Sequence, residues 1–161
     1  MKTFDHLNVI GLREWIALPA LGIGLIRAKI DTGAHTSALH ASQIQTFERD
    51  NQTWVRFVAH VGQRGQRTQP CEALVVDRRK IRSSNGQVQE RLTICTTMVL
   101  GDQCREVEFT LTCRKAMRYR VLLGCNALLA AQLVINPGLR YVQDKPQTST
   151  ALTGQPEGLE P

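Results

Sequence analysis

Apolar and polar residues alternate at period two along much of this chain, and that pattern confines it to a β-rich fold. Val55, Phe57, Ala59 and Val61 interleave with Trp54, Arg56, Val58 and His60, so each set lies on one face of a strand. Over Val88–Leu100, residues Leu92, Ile94, Thr96, Met98 and Leu100 share one face. The arm before it, Leu74–Arg82, is joined through Ser83-Ser84-Asn85-Gly86, and Asn-Gly between strands signals a hairpin. Val107, Phe109 and Leu111 alternate with Glu106, Glu108 and Thr110, the pattern of a strand with one wet face. Asn8–Leu18 and Gly22–Ile30 are apolar-rich strand candidates around a turn at Pro19–Gly22, and Gln63–Pro70 reads as a polar loop. A last strand is expected at Leu139–Val142, after Asn136-Pro137-Gly138. Short helices are expected at Thr36–Gln43 and Asn126–Gln132. From Asp144 the chain turns to Pro, Thr, Ser, Gly and Gln without an aromatic, so a domain over 1–143 and a disordered tail over 144–161 are expected.

At 161 residues and 42% hydrophobic, one domain can bury a core without disulfide or metal staples. Five cysteines, an odd number with no Cys-x-x-Cys pair, read as reduced thiols of a cytoplasmic protein. Trp15–Ile26 is the longest mostly apolar stretch; Pro19, Gly22 and Gly24 interrupt it and Arg27 closes it, too short for a bilayer. The first residues meet Asp5 early and lack a signal-peptide core, so neither export nor a membrane is expected. Twenty Lys and Arg against fourteen Asp and Glu leave +6, which favours anionic partners. Eight aromatics and no helix with a basic stripe argue against nucleic acid.

Chemistry concentrates at Asp31-Thr32-Gly33-Ala34, directly after the Gly22–Ile30 strand. Alone, such a segment is a turn, with Asp31 capping the backbone ahead of His35. Downstream, Val121-Leu122-Leu123-Gly124-Cys125-Asn126-Ala127-Leu128 gives an apolar run, a glycine and an immediate helix. The pair resembles the retropepsins, single-domain aspartic proteases in which the glycine segment runs beneath the catalytic loop. Gly11-Leu12-Arg13-Glu14-Trp15, the block Ala28–Leu39 and Met117-Arg118-Tyr119-Arg120-Val121-Leu122-Leu123-Gly124 narrow the resemblance. They are similar to a bacterial retropepsin-like family often labelled ATP-dependent zinc protease, which includes RimB. Some of its members are encoded beside, or fused to, ATP-grasp glutamate ligases of the RimK type. The match spans about residues 8–142.

That resemblance implies a mainly β, closed acid-protease barrel with one or two short helices, assembled as a twofold homodimer. Aspartic proteolysis needs two carboxyls sharing one proton, one acting as base on water and the other donating to the carbonyl oxygen. One Asp-Thr-Gly per chain then requires a second Asp31 across a dimer axis. Thr32, Gly33, Ala34, Leu123 and Gly124 become the loop's supports. Gly124 lies 93 residues after Asp31, long for a retropepsin, so an insertion is expected at Trp54–Pro70. Ser83, Ser84, Asn85 and Gly86 are the expected tip of the substrate-covering flap. Arg78, Arg79, Lys80 and Arg82 on its arm read either as a lid for acidic peptides or as a charged, solvated strand edge. Arg13 and Glu14 either line the site or serve the structure or the interface, the latter preferred.

Several positions depart from the family. Cys125 stands where retropepsins usually carry Arg, His35 where some carry an acid, and Cys113 and Asn136 where acids are expected. These put dimer strength in question more than chemistry. No His-Glu-x-x-His occurs, and His35 and His40 are five apart, so no zinc is expected despite the family label. The nucleotide loop Gly-x-x-x-x-Gly-Lys-Ser/Thr is absent, so no cofactor is expected. A cytoplasmic aspartic endopeptidase acting on acidic or glutamate-modified substrates is the expected function. A non-catalytic module of the same fold, holding glutamate-rich tails or regulating a glutamate ligase, is the alternative.

Overall fold

A computed structural model describes residues 8–62, 66–82, 86–113 and 118–147, with the side chains of 81 and 82 excepted. In chain order its strands are β1 (Asn8–Ile10), β2 (Arg13–Leu18), β3 (Ile23–Ile30), β4 (Ser37–Arg49), β5 (Gln52–Val61) and β6 (Arg67–Arg82). They continue as β7 (Val88–Leu100), β8 (Gln103–Thr112), β9 (Val121–Leu123) and β10 (Leu133–Ile135). One α-helix, α1 (Cys125–Ala130), and a 3-10 turn at Pro19–Leu21 complete the described elements. The main sheet runs β2-β3-β9-β4-β5-β6-β7-β8, and β1 and β10 form a parallel pair. The sheet curls back on itself where β4 pairs β8 in parallel from Ser37↔Phe109 to His40↔Thr112, and where Ala17 pairs Val99 between β2 and β7.

Alternation puts the core inside this curl. The β7 face of Leu92, Ile94, Thr96, Met98 and Leu100 is buried throughout, as are Val107, Phe109 and Leu111 on β8 and Val55, Phe57 and Ala59 on β5. Each fully buried large side chain contributes about 1.5–3 kcal/mol relative to exposure. Thr96 is the exception within its row, because its buried Oγ1 has no hydrogen-bond partner. Thr96→Val keeps the shape and removes an unsatisfied hydroxyl, so it should stabilise the fold by about 1 kcal/mol. A rise in the urea midpoint at unchanged slope checks this.

Three local expectations are corrected. Thr36–Gln43 is not a helix but the start of β4, because Ala38 and Leu39 find backbone partners on both sides, in β9 and β8. Tertiary pairing overrides a weak helical preference there. Leu139–Val142 is not a strand, since Tyr141 adopts a left-handed φ of 53°. The segment is nonetheless tied down, with Leu12 N–H donating to the Leu139 carbonyl and Tyr141 N–H to the Arg13 carbonyl. The loop expected at Gln63–Pro70 is shorter, because β6 begins at Arg67 and pairs β5 from Arg67↔Val61 onward. Pro70 is tolerated there because β7 joins β6 only from Val75, leaving that part of β6 an edge. Of the expected tail, Lys145 packs over the Trp15 ring at 5.1 Å, while 148–161 lie outside the described residues.

Candidate active site

Asp31 is aimed by a short strand wedged between two longer ones. β9 pairs β3 in parallel (Ala28↔Val121, Ile30↔Leu123) and β4 in antiparallel sense (Ala38↔Leu122, Leu39↔Val121). The first residue past β3 is Asp31, and its N–H still donates to the Leu123 carbonyl at 2.9 Å. The half-buried carboxyl is thereby carried on the sheet rather than on a loose loop. Its Oδ1 accepts the Gly33 N–H at 3.0 Å, and Ala34 N–H donates to the Asp31 carbonyl at 3.3 Å. Thr32 and Gly33 face outward, so nothing within the loop covers them.

The Gly124 segment clamps this loop from below. Cys125 N–H donates to the Ala34 carbonyl at 2.8 Å and Asn126 N–H to the His35 carbonyl at 3.0 Å. A Cβ on Gly124 would overlap the Thr36 carbonyl oxygen and lie 2.8 Å from that of Ala34. Glycine is needed for close approach of two backbones. Leu123 is fully buried beside it. So the structure brings together Asp31, Thr32, Gly33, Ala34, Leu123 and Gly124.

Two further residues of this clamp carried no assigned role in the sequence. Ser37 Oγ is buried, accepts the Gly124 N–H at 3.0 Å and donates to Asn126 Oδ1 at 2.8 Å. Asn126 Nδ2 then donates to the Glu108 carbonyl on β8 at 2.9 Å. This relay locks the loop to α1 and to β8. The apolar-Gly-x-Asn run pointed at Asn126, whereas a lone Ser37 gives no sequence signal. Cys125, in the position usually held by Arg, directs its thiol to the Thr32 carbonyl at 3.3 Å. That is a weak neutral bond where a charge-assisted one is usual.

The cationic arm stands apart from this frame. Among the described residues β6 pairs with β5 and β7 and not with β3, β9 or β4. Arg78, Arg79 and Lys80 are exposed, but Arg78 pairs with Glu90 at 3.3 Å and Arg79 with Asp77 at 2.7 Å. Exposed pairs of this kind contribute little to stability, yet they offset the arm's charge. Ser83, Ser84, Asn85 and the Arg82 side chain lie outside the described residues. Gly86 is described, at a left-handed φ of 87° in open space.

Arg13 and Glu14 resolve into structural contacts. Glu14 is fully buried and accepts three backbone N–H bonds, from Gly11 at 2.8 Å, Val142 at 2.9 Å and Gln143 at 3.1 Å. It straps the C-terminal segment to β2. Arg13 and Arg27 both sit over the Tyr119 ring, at 5.2 and 5.5 Å. No cluster of three or more His, Cys, Asp or Glu side chains able to hold a metal occurs among the described residues.

The family model described as RimB-like, retropepsin-like aspartic endopeptidase RimB, matches residues 9–146. Proteins named "Probable alpha-L-glutamate ligase" from Shewanella halifaxensis and Desulfotalea psychrophila are 44% and 41% identical over 131 and 134 residues. Those regions cover 81% and 83% of this chain but only 29% of each relative's length. A Legionella pneumophila crystal structure of unknown function superposes with a TM-score of 0.74 at 26% identity. That likeness covers 85% of this chain and 98% of the other.

Proposed function

The chain belongs to the RimB-like family of retropepsin-like aspartic endopeptidases, and from that premise we propose that it is a homodimeric aspartic peptidase with Asp31 of each subunit at the twofold axis. The observation that carries this reading is the clamp of Gly124 under the Asp31 loop, which holds one carboxyl rigidly and leaves Thr32 and Gly33 outward-facing for a second copy. The β4–β8 and β2–β7 pairings support a closed barrel behind it.

The chemistry follows from two facing carboxyls. An ionised Asp31 takes a proton from water as the water oxygen attacks the scissile carbonyl carbon. The protonated Asp31 of the second copy gives its proton to the carbonyl oxygen. Collapse of the tetrahedral adduct breaks the C–N bond: the first Asp31 gives its proton to the departing amine, and a hydroxyl of the adduct returns a proton to the second, which restores the pair. Thr32 braces the two loops across the axis. Flap closure is assigned to the β6–β7 hairpin with its tip at Ser83–Gly86.

Acidic, glutamate-modified peptides are the proposed substrates. The support is the net charge of +6 per chain and the name of the longer relatives, glutamate ligases. With Arg78 and Arg79 already paired to acids, the acid preference rests on the field of the whole dimer more than on that arm. A second reading has a specific observation in its favour. The matched region is 29% of a ligase's length, which also suits a regulatory module of such a ligase.

Digestion separates the two. Peptides ending in several glutamates, and neutral peptides of equal length, are incubated with the protein and followed by mass spectrometry. Cleavage of the acidic series, undiminished by EDTA and slowed by added salt, is the expected result. Loss with EDTA and recovery with zinc would overturn the metal-free mechanism. Binding of the acidic series without any cleavage supports the module.

A further inference from the structure

A cavity lies at the far end of β9 from Asp31. It has a volume of about 450 Å³ and is lined by His40, Ser42, Gln43, His60, Cys113 and Arg120. Three sheet neighbours build it. His40 and Ser42 come from β4, His60 from β5, and Arg120 from the residue before β9, whose carbonyl accepts the His40 N–H at 2.8 Å. Among the described residues, the lining holds a guanidinium, two imidazoles, a hydroxyl, an amide and a thiol, and no carboxylate.

The cavity walls are organised. The Ser42 hydroxyl and His60 Nε2 lie 2.7 Å apart in a hydrogen bond, which fixes the His60 ring. The His40 ring is tilted 37° against it with centroids 5.1 Å apart. Next to Ser42 the β4–β5 register slips, from Ser42↔Val58 to Gln45↔Arg56, so β4 bulges by one residue. Gln43, inside that bulge, holds a left-handed φ of 52°. A non-glycine residue in this region is strained, and bulges beside sites re-aim side chains into them.

We propose that this cavity is an oxyanion-binding site, taking a small carboxylate or a phosphate among Arg120, His40, His60 and Ser42. The volume has room for an anion of either kind. A metal is a poor alternative, since no three-ligand cluster occurs among the described residues. Burial, with the Arg120 charge and His60 adding to it, holds the His40 imidazole below its ordinary pKa, against a hydrogen bond from the ring to the Thr112 backbone. A bound anion offsets the two charge effects, so binding and proton uptake at His40 are linked. Among the described residues, the titratable and charged groups facing His40 across the cavity are His60 from β5, Arg120 before β9 and Cys113 after β8.

The site is independent of the peptidase reading, because Asp31 contributes nothing to it. The experiment follows the His40 and His60 ring resonances of the full chain by NMR while inorganic phosphate or succinate is added, with sodium chloride at matched ionic strength for comparison. Expected are saturable shifts of both rings at one ligand per chain, with His35 unmoved and Asp31→Asn behaving as wild type. Arg120→Gln should weaken binding by about tenfold or more, and Ser42→Ala by about fivefold. Ser42→Ala alone decides the matter if Arg120→Gln fails to fold. Tighter succinate assigns a carboxylate ligand, and tighter phosphate a phosphate one. Shifts that never saturate, that chloride reproduces, or that persist at full affinity in the folded variants overturn the proposal.

Discussion

Asp31→Asn should lower peptide hydrolysis by about a thousandfold or more while leaving the chain folded, because an amide cannot take a proton from water. The structural consequence is small for a reason visible in the loop. Asp31 Oδ1 accepts the Gly33 N–H at 3.0 Å, and an asparagine Oδ1 can accept the same bond. The Asp31 N–H to Leu123 carbonyl bond is a backbone bond and survives any side chain. Thermal unfolding should therefore shift by no more than the equivalent of about 1 kcal/mol. Initial rates on a glutamate-tailed peptide, measured beside a melting curve, separate lost chemistry from lost fold. Wild-type rates in the variant would place the chemistry elsewhere.

Gly124→Ala should be the most damaging single methyl in the clamp. The added carbon would meet the Thr36 carbonyl oxygen, with the Thr36 carbonyl carbon at 2.7 Å and the Ala34 oxygen at 2.8 Å, all of them backbone atoms that no rotamer change can move. Relief requires the 31–37 loop to lift away from α1. That lift puts at risk the bonds from Cys125 N–H to Ala34, from Asn126 N–H to His35, and from Gly124 N–H to Ser37 Oγ. A cost of about 3 kcal/mol or more is expected, with hydrolysis lost even in molecules that remain folded. Gly86→Ala is the matched control. Nothing lies within 4 Å there, so only its φ of 87° is strained, at about 1 kcal/mol. Urea denaturation of both variants checks the contrast, and equal costs would show that close approach at Gly124 is not what matters.

What could be read beforehand depended on whether a signal was local. β7 was legible to the residue, because period-two alternation over Val88–Leu100 has one solution when one face is buried. The contact between the Asp31 loop and the Gly124 segment was also legible, since each is a contiguous motif flanked by its own strand. Ser37–Gln43 was not, because a run without strict alternation becomes strand only through β8 and β9, partners far off in sequence. The same holds for the C-terminal strap. Glu14 gathers N–H groups from Gly11, Val142 and Gln143, and only the last two positions' arrival in space reveals its role. The His40–His60–Arg120 cavity is the extreme case, drawn from β4, β5 and the approach to β9 with no shared spacing.

The central claim is that one site uses Asp31 from two chains, and subunit mixing tests it most directly. Wild-type and Asp31→Asn chains, differently tagged, are unfolded together and refolded at equal amounts, and the hydrolysis rate is compared with that of wild type refolded alone at the same total concentration. If each site needs two Asp31 carboxyls, only dimers of two wild-type chains act, and the mixture should keep about a quarter of the wild-type rate. A mixture that keeps about half would mean that each chain carries a complete site, and would contradict the account.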